Sequence, residues 1–441
     1  MATLRTNRDA LRHNYAELER RLAGHGIQYG LVVKLLCGNE RLLQEVLDLG
    51  PREVMDARTG NLKAVRSLDP DVRTVYIKPP APGNADEVVR WADASFNTEL
   101  DTLRALDDAA ARQGVRHGVV VMVEMGDLRE GVVRERLLEF VGSALRFENL
   151  KIEGLGTNFN CLNGTMPSED KLWQLSLFRE LVELRYGVTL AWVSGGSSVG
   201  LPMLFDGRVP PAVNHFRIGE TLFFGRDLRD GKTFDGMRDD VFELEAEVIE
   251  VAEKPSEPSG PFGEDPFGDR HEDVPTDPTE TARRAILDVG WLDIDPEFLT
   301  AADEGVEIID VSSDMTVVDV GARTTPTRVG DRLRFRLRYM GALKLLNSDY
   351  IDKIVVDDDD RSLPAPIAPA GAASAALGDA DGREVQEVQE VQEVQEVQEV
   401  QEVQEVQEEQ DDAEASAADE ASEADAVRPG GPDRWGLTGG A

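Results

Sequence analysis

Short apolar runs alternate with longer amphipathic stretches from residue 27 to residue 225. The runs at 30–34, 53–56, 74–78, 94–97, 119–123, 152–157, 190–193 and 215–218 predict strands, about eight in number. Stretches such as 40–49, 99–112 and 169–185 carry apolar residues at helical spacing and predict helices between them. Strands alternating with helices in this number predict an α/β fold, a (β/α)8 TIM-like barrel over residues 1–235. In such a barrel the chemistry sits where the strands end.

After residue 239 the pattern changes. Val241-Phe242-Glu243-Leu244-Glu245-Ala246-Glu247-Val248-Ile249 alternates with period two, as does 332–337, and a β-rich C-terminal domain is expected over 236–356. A Pro-, Gly- and Asp-rich insert covers 253–280. It places His271 beside Glu272 and Asp273, but without helical spacing or a second histidine no metal site is expected. Residues 357–441 are low-complexity, with about eight Glu-Val-Gln triplets from 384 to 407. A period of three matches neither helix nor strand, so the valines would wind around a helix by about 60° per repeat and form no lasting apolar face. A disordered acidic tail is expected, since the repeat also lacks the heptads of a coiled segment.

Charge sharpens this picture. The net charge is −38, and 24 acidic residues lie beyond residue 356 against four arginines there. The remainder is still acidic, and the whole chain has nine lysines against 38 arginines. An excess of Asp and Glu over Lys keeps a surface hydrated in concentrated salt, so a halophilic protein is expected. The same charge disfavours nucleic acid as a partner. No apolar run is long enough to span a bilayer, and Met1-Ala2-Thr3-Leu4-Arg5-Thr6 lacks an apolar signal core, so no membrane association and a cytoplasmic location are expected. Cys37 and Cys161, the two cysteines, make neither a disulfide framework nor a metal site.

The chemistry begins at Lys34, inside the apolar run Leu31-Val32-Val33-Lys34-Leu35-Leu36. An ammonium in a buried strand must snorkel to the surface, pair with a carboxylate, or lose its proton and act as a nucleophile suited to a Schiff base with an aldehyde. Three further segments fall at predicted strand ends. Val123-Glu124-Met125-Gly126-Asp127-Leu128-Arg129-Glu130-Gly131 offers an arginine fork, which alone reads as a surface ion pair with Asp127 or Glu130. Ser194-Gly195-Gly196-Ser197-Ser198 offers small residues, free amides and hydroxyls, a cradle for a phosphate or simply a turn. His215-Phe216-Arg217-Ile218-Gly219-Glu220 adds a strand arginine followed by a glycine.

Together with Asn97-Thr98-Glu99-Leu100-Asp101-Thr102-Leu103, these motifs resemble the fold-type III pyridoxal-phosphate enzymes, and among them the ornithine/alanine racemase family. The resemblance covers the barrel and most of the second domain, not the tail. It implies that Lys34 holds pyridoxal 5'-phosphate as a Schiff base and that Arg129 meets the cofactor's phenolic oxygen and the substrate carboxylate. It implies also that Arg217 faces the pyridine nitrogen, while Ser197, Ser198 and the amides near Gly219 and Glu220 hold the phosphate. An arginine cannot give up its proton, so the ring becomes a weaker electron sink, which favours a short-lived carbanion over transamination.

Racemisation needs two groups flanking the α-carbon, one to remove a proton and one to return it. Lys34 is one. The tyrosine of the alanine-racemase Gly-Tyr-x-Asp-Gly sequence is replaced here in Gly290-Trp291-Leu292-Asp293-Ile294-Asp295, and tryptophan does no acid–base work. Cys161, Tyr350 and Asp314 are the candidate substitutes. Thr157-Asn158-Phe159 stands where alanine racemases have Thr-His-Phe, so Asn158 either touches the cofactor or is a turn residue. Val311-Ser312-Ser313-Asp314 resembles a segment that a partner subunit brings to the site, which implies a head-to-tail homodimer. The expected substrate is ornithine or a similar basic amino acid, welcomed by Glu124, Asp127 or Asp314, with alanine as the alternative. A decarboxylase or aldolase on the same fold is a rival, as is a non-catalytic barrel that binds the cofactor for homeostasis. Arg217 argues against the decarboxylase and the second domain against the non-catalytic barrel.

Overall fold

The computed structural model describes residues 2–264 and 280–361. Strand β1 (Thr3–Asn7) leads into a helix, Arg8–Gly24, whose first turn is fixed by Asn7 Oδ1 accepting from Ala10 N at 3.0 Å. The predicted barrel follows, eight parallel strands closed edge to edge: β2 (Gln28–Val32), β3 (Glu53–Asp56), β4 (Arg73–Tyr76), β5 (Ala94–Asn97), β6 (His117–Met122), β7 (Leu150–Gly156), β8 (Trp192–Ser197) and β9 (His215–Ile218). The ring is completed where β9 pairs with β2, Gln28 opposite His215 and Gly30 opposite Arg217.

Alternation along the strands sorts the side chains into two sets. Met55, Val75, Phe96, Val120, Met122 and Trp192 fill the barrel interior, while Val54, Val119, Val121, Leu155 and Val193 pack outward against the helices. Those helices are amphipathic for the same purpose. Glu40–Leu47 buries Leu42, Leu43, Val46 and Leu47 on one stripe, and Asn39 caps it by accepting from Leu42 N at 3.1 Å. Phe96 is wholly buried at the barrel centre, where truncation to Ala costs about 3–5 kcal/mol.

One expectation is corrected at the first barrel strand. The apolar run was read as a strand through residue 34, but β2 ends at Val32 and Lys34 opens a 3-10 turn, Lys34–Leu36. Leu35 and Leu36 are buried, whereas the Lys34 side chain is exposed towards a cavity. Lys34 therefore avoids the desolvation that a mid-strand position would impose.

The second sheet holds β10 (Phe242–Pro255), β11 (Thr281–Leu287), β12 (Leu299–Ala301), β13 (Glu307–Val311), β14 (Thr316–Asp319) and β15 (Arg332–Leu337) in the order β12-β15-β10-β11-β14-β13. It also takes in β1, which pairs antiparallel with β10 and parallel with β16 (Asp352–Val356), so the chain's first strand belongs to the β-rich part. Asp357 and Asp358, which composition assigns to the tail, pair with Arg8 and Arg238. Between β15 and β16 the helix Tyr339–Asn347 packs against the Lys34–Leu36 turn and brings the second part to the barrel mouth. His271, Glu272, Asp273 and the Glu-Val-Gln repeats lie outside the described residues.

Candidate active site

A cavity of about 320 Å3 opens at the C-terminal ends of the barrel strands, the size of a small cofactor site. It is lined by Lys34, Arg129, Asn158, Cys161, Ser197, Ser198, Arg217, Gly219 and Glu220. Asp314 is not among the lining residues. It is exposed beside Gly290 in the second part and accepts a hydrogen bond from Ser313.

Arg217, on β9, has its Cζ 5.0 Å from the Phe96 ring centroid. Its side chain is buried and donates from Nη1 to Ser194 Oγ at 2.7 Å and from Nη2 to the Thr157 carbonyl at 2.8 Å. Neither partner is charged, and among the described residues no carboxylate pairs with it. Burial brings the guanidinium down to about 10, with Arg129 adding to the effect and Cys161 and Glu130 opposing it. Below it, Ser194 Oγ also meets His215 Nδ1 at 3.0 Å, and His215 Nε2 meets Glu53 Oε1 at 3.1 Å. This buried chain fixes Ser194 and hence the plane of Arg217. Burial lowers the His215 pKa, with Glu53 opposing.

Arg129 lies on the loop after β6. That loop turns back sharply at Gly131, where φ is +148° and a Cβ would lie 2.4 Å from Glu124 N, so only glycine fits. Asp127 is buried inside the loop and accepts from Leu162 N and Asn163 N, each at 3.2 Å, which ties it to the loop after β7. Arg129 is held by Glu130 through two bonds, Nε to Oε2 and Nη2 to Oε1, the latter 2.6 Å. Glu130 raises the Arg129 pKa, with burial opposing. Asn158 sits between the two arginines. In one orientation its amide oxygen accepts from Arg217 Nη2 at 3.4 Å, and in the other from Arg129 Nη2 at 3.2 Å. Cys161 Sγ is 3.5 Å from Asn158 Oδ1.

On the other side of the cavity Ser198 Oγ accepts from Gly219 N at 3.2 Å and Thr221 N at 3.3 Å, gathering the amides after β9 around the serine segment after β8. Tyr339 and Met340 also line the cavity and were not among the residues singled out from sequence. The Lys34 Nζ lies 5.9 Å from the Tyr339 ring centroid. Burial pushes the Tyr339 hydroxyl above the ordinary tyrosine range, and Glu220 reinforces it.

A cavity-facing lysine, a buried arginine lacking a counter-charge and a serine–glycine segment at a barrel mouth are features that suit a pyridoxal-phosphate barrel. The alanine racemase N-terminal domain family model matches residues 6–227, and the chain belongs to this family of pyridoxal-phosphate-dependent isomerases. The chain is 35% identical over 346 residues to the ornithine racemase of Acetoanaerobium sticklandii, covering 78% of this chain and 96% of that protein. It is 30% identical over 348 residues to the lysine racemase of Thermotoga maritima, covering 79% and 96%. The crystal structure of alanine racemase from Bartonella henselae with covalently bound pyridoxal phosphate matches the fold with a TM-score of 0.63 at 15% identity, over 80% of this chain and 99% of that one.

The residues present fit pyridoxal 5'-phosphate. A buried cation whose protein partners are all neutral is costly, and Arg217 is such a cation, able to offer donors to a bound cofactor ring. The amides and hydroxyls around Ser198 and Gly219 suit a phosphate dianion. Among the described residues no cluster suits a metal ion and no helix is long and apolar enough to cross a membrane.

Proposed function

We propose that the protein interconverts the L- and D-forms of a basic amino acid, ornithine or its near homologue lysine. The observation that carries this is the convergence of Lys34, Arg129 and Arg217 on one cavity, in a chain similar along most of its length to proteins named ornithine racemase and lysine racemase. Bound in that cavity, pyridoxal phosphate supplies the aldehyde that takes up the substrate amine and the conjugated ring that makes its α-proton acidic.

The chain's own residues divide the remaining work. Lys34 anchors the cofactor and carries the α-proton on one face of the substrate. Arg129, held in orientation by Glu130, receives the substrate carboxylate and the phenolic oxygen. Arg217 offers donors, never a proton, to the pyridine nitrogen, and Asn158 spaces the two guanidiniums. Ser197, Ser198, Gly219 and the Glu220 amide hold the phosphate. Of the three candidates for the second proton carrier, Cys161 lines the cavity, whereas Tyr350 is 88% exposed and Asp314 lies outside it. We therefore assign the opposite-face proton to Cys161.

A head-to-tail homodimer belongs to the same proposal. Trp291 N bonds to Ser312 O and Leu292 N to Ser313 O, so the two segments form one patch that exposes Trp291, Leu292 and Met315. Leu128, Leu162 and Met166 are exposed on the loops at the barrel mouth. Two apolar surfaces on different parts of one chain suit head-to-tail pairing. The acidic, lysine-poor composition supports a halophilic, cytoplasmic setting.

Alanine as the substrate is less favoured, because the alanine racemases match at low identity. A non-catalytic cofactor carrier would not need the second part, which here supplies Tyr339 to the cavity wall. The test is incubation of the holoprotein with L-ornithine, L-lysine and L-alanine in D2O at high salt, following optical rotation and α-deuterium. Loss of rotation with deuterium uptake, fastest for a basic amino acid, is expected. Exchange without loss of rotation would contradict two-face chemistry.

A further inference from the structure

A substrate with a basic side chain needs a carboxylate to receive it, and the acids near the mouth are nearly all committed elsewhere. Glu130 is spent on two bonds to Arg129. Asp127 is buried and accepts from Leu162 N, Asn163 N and, at 3.5 Å, Asn158 Nδ2. Glu124 accepts from Gly126 N and from Leu128 N. Asp56 is fully buried and accepts from Arg58 N and Asn61 Nδ2. Asp314 lies outside the cavity.

Glu220 is the exception. It follows Gly219 at the end of β9, it lines the cavity, and among the described residues its carboxylate makes no hydrogen bond or ion pair. The charges that act on it are those of Arg226 and Lys34. Burial pushes its pKa above the ordinary carboxyl range, the sign of an anion that has lost water without gaining a partner. A cation arriving beside such a group offsets a desolvation cost the protein already bears, which makes the site selective.

Arg129 and Glu220 both line the cavity, but Arg129 is bonded to Glu130, whereas the Glu220 carboxylate is acted on by the charge of Lys34 and raises the Tyr339 pKa. An amino acid with its carboxylate on Arg129 and its α-carbon within reach of Lys34 then has an uncommitted anion in the same cavity for its side chain.

We infer that the Glu220 carboxylate holds the side-chain ammonium of the substrate and is the residue that selects basic over neutral amino acids. This rests on the racemase function proposed above. Its backbone amide serves the phosphate, so the side chain has a role of its own.

The experiment compares holoenzyme of the wild type, Glu220→Gln and Glu220→Asp on L-ornithine and L-norvaline, which is ornithine without its terminal amine. The ratio of the two kcat/KM values is read within each variant, so differences in cofactor occupancy cancel. Glu220→Gln should lower the ornithine-to-norvaline ratio by about 10- to 100-fold, and Glu220→Asp should give an intermediate value. Calorimetric binding of L-α-methylornithine, which has no α-proton to lose, should weaken by a similar factor in Glu220→Gln. Wild type that racemises ornithine together with a Glu220→Gln ratio within twofold of it would overturn the inference. Wild type that racemises neither amino acid would overturn the racemase function itself and this inference with it.

Discussion

The Lys34 ammonium lies 5.9 Å from the centroid of the Tyr339 ring, so residues from the barrel and from the β-rich part share one cavity wall. The contact is made because the helix Tyr339–Asn347 packs on the turn Lys34–Leu36. The cavity is thus a product of both parts of the chain, although most of its charged groups come from the barrel.

The proposed cofactor role of Arg217 implies a cost in stability. Its partners Ser194 Oγ and the Thr157 carbonyl are neutral, so the cofactor-free protein bears the desolvation of an unpaired guanidinium. Arg217→Met should leave the thermal midpoint of the cofactor-free protein unchanged or raised, by about 1–3 kcal/mol in stability. The same variant should bind pyridoxal phosphate at least tenfold more weakly in an absorbance titration. A lower midpoint with unchanged cofactor affinity would contradict this role.

Asp56 gives stability a pH dependence. Burial raises its carboxyl from the ordinary 3.8 to about 6, against hydrogen bonds from Asn61 and the Arg58 and Ala57 amides and the field of Lys34. The folded chain therefore binds this proton more tightly than the unfolded chain. Its contribution is fully present below about pH 4 and is lost as pH rises through 6, a change of about 3 kcal/mol. The midpoint of the wild type relative to Asp56→Asn should fall between pH 4 and 7 and then level off. A difference that does not vary with pH would remove Asp56 from the account.

The proposed homodimer rests on exposed apolar surface at two places. Leu292 is 74% exposed, and Leu292→Asp should shift the protein from dimer to monomer in sedimentation and lower racemisation at least tenfold. A wild-type protein that sediments as a fully active monomer would refute the head-to-tail arrangement.

The barrel was legible in the sequence because each strand is a short apolar run followed by an amphipathic helix, a signal confined to about twenty-five residues at a time. The ends of strands were less so. Val32-Val33-Lys34-Leu35-Leu36 reads as one apolar run, yet the strand stops at Val32 and a 3-10 turn carries Lys34 out to the cavity, a change of backbone that hydrophobicity does not record. The short strand Thr3–Asn7 gives no hint that its partners are Phe242–Pro255 and Asp352–Val356, because that pairing is non-local. Short strand-end motifs marked Arg129, Ser198 and Arg217, although the hydrogen-bond partners of Ser198 and Arg217, such as Gly219, Ser194 and Thr157, come from other segments. Tyr339 had no such motif, and reaches the cavity only through the docking of its helix. Glu220 was marked for its amide alone, since the freedom of its carboxylate emerges only when the partners of every nearby acid are known.

The most direct test concerns Lys34. Holoprotein reduced with borohydride and digested should yield a single pyridoxyl-phosphate-labelled peptide, carrying the label on Lys34, and Lys34→Ala should lose both the label and the visible absorbance, with turnover falling by about a thousandfold or more. A label on any other lysine, or a Lys34→Ala protein that keeps its absorbance and turnover, would contradict the account at its base.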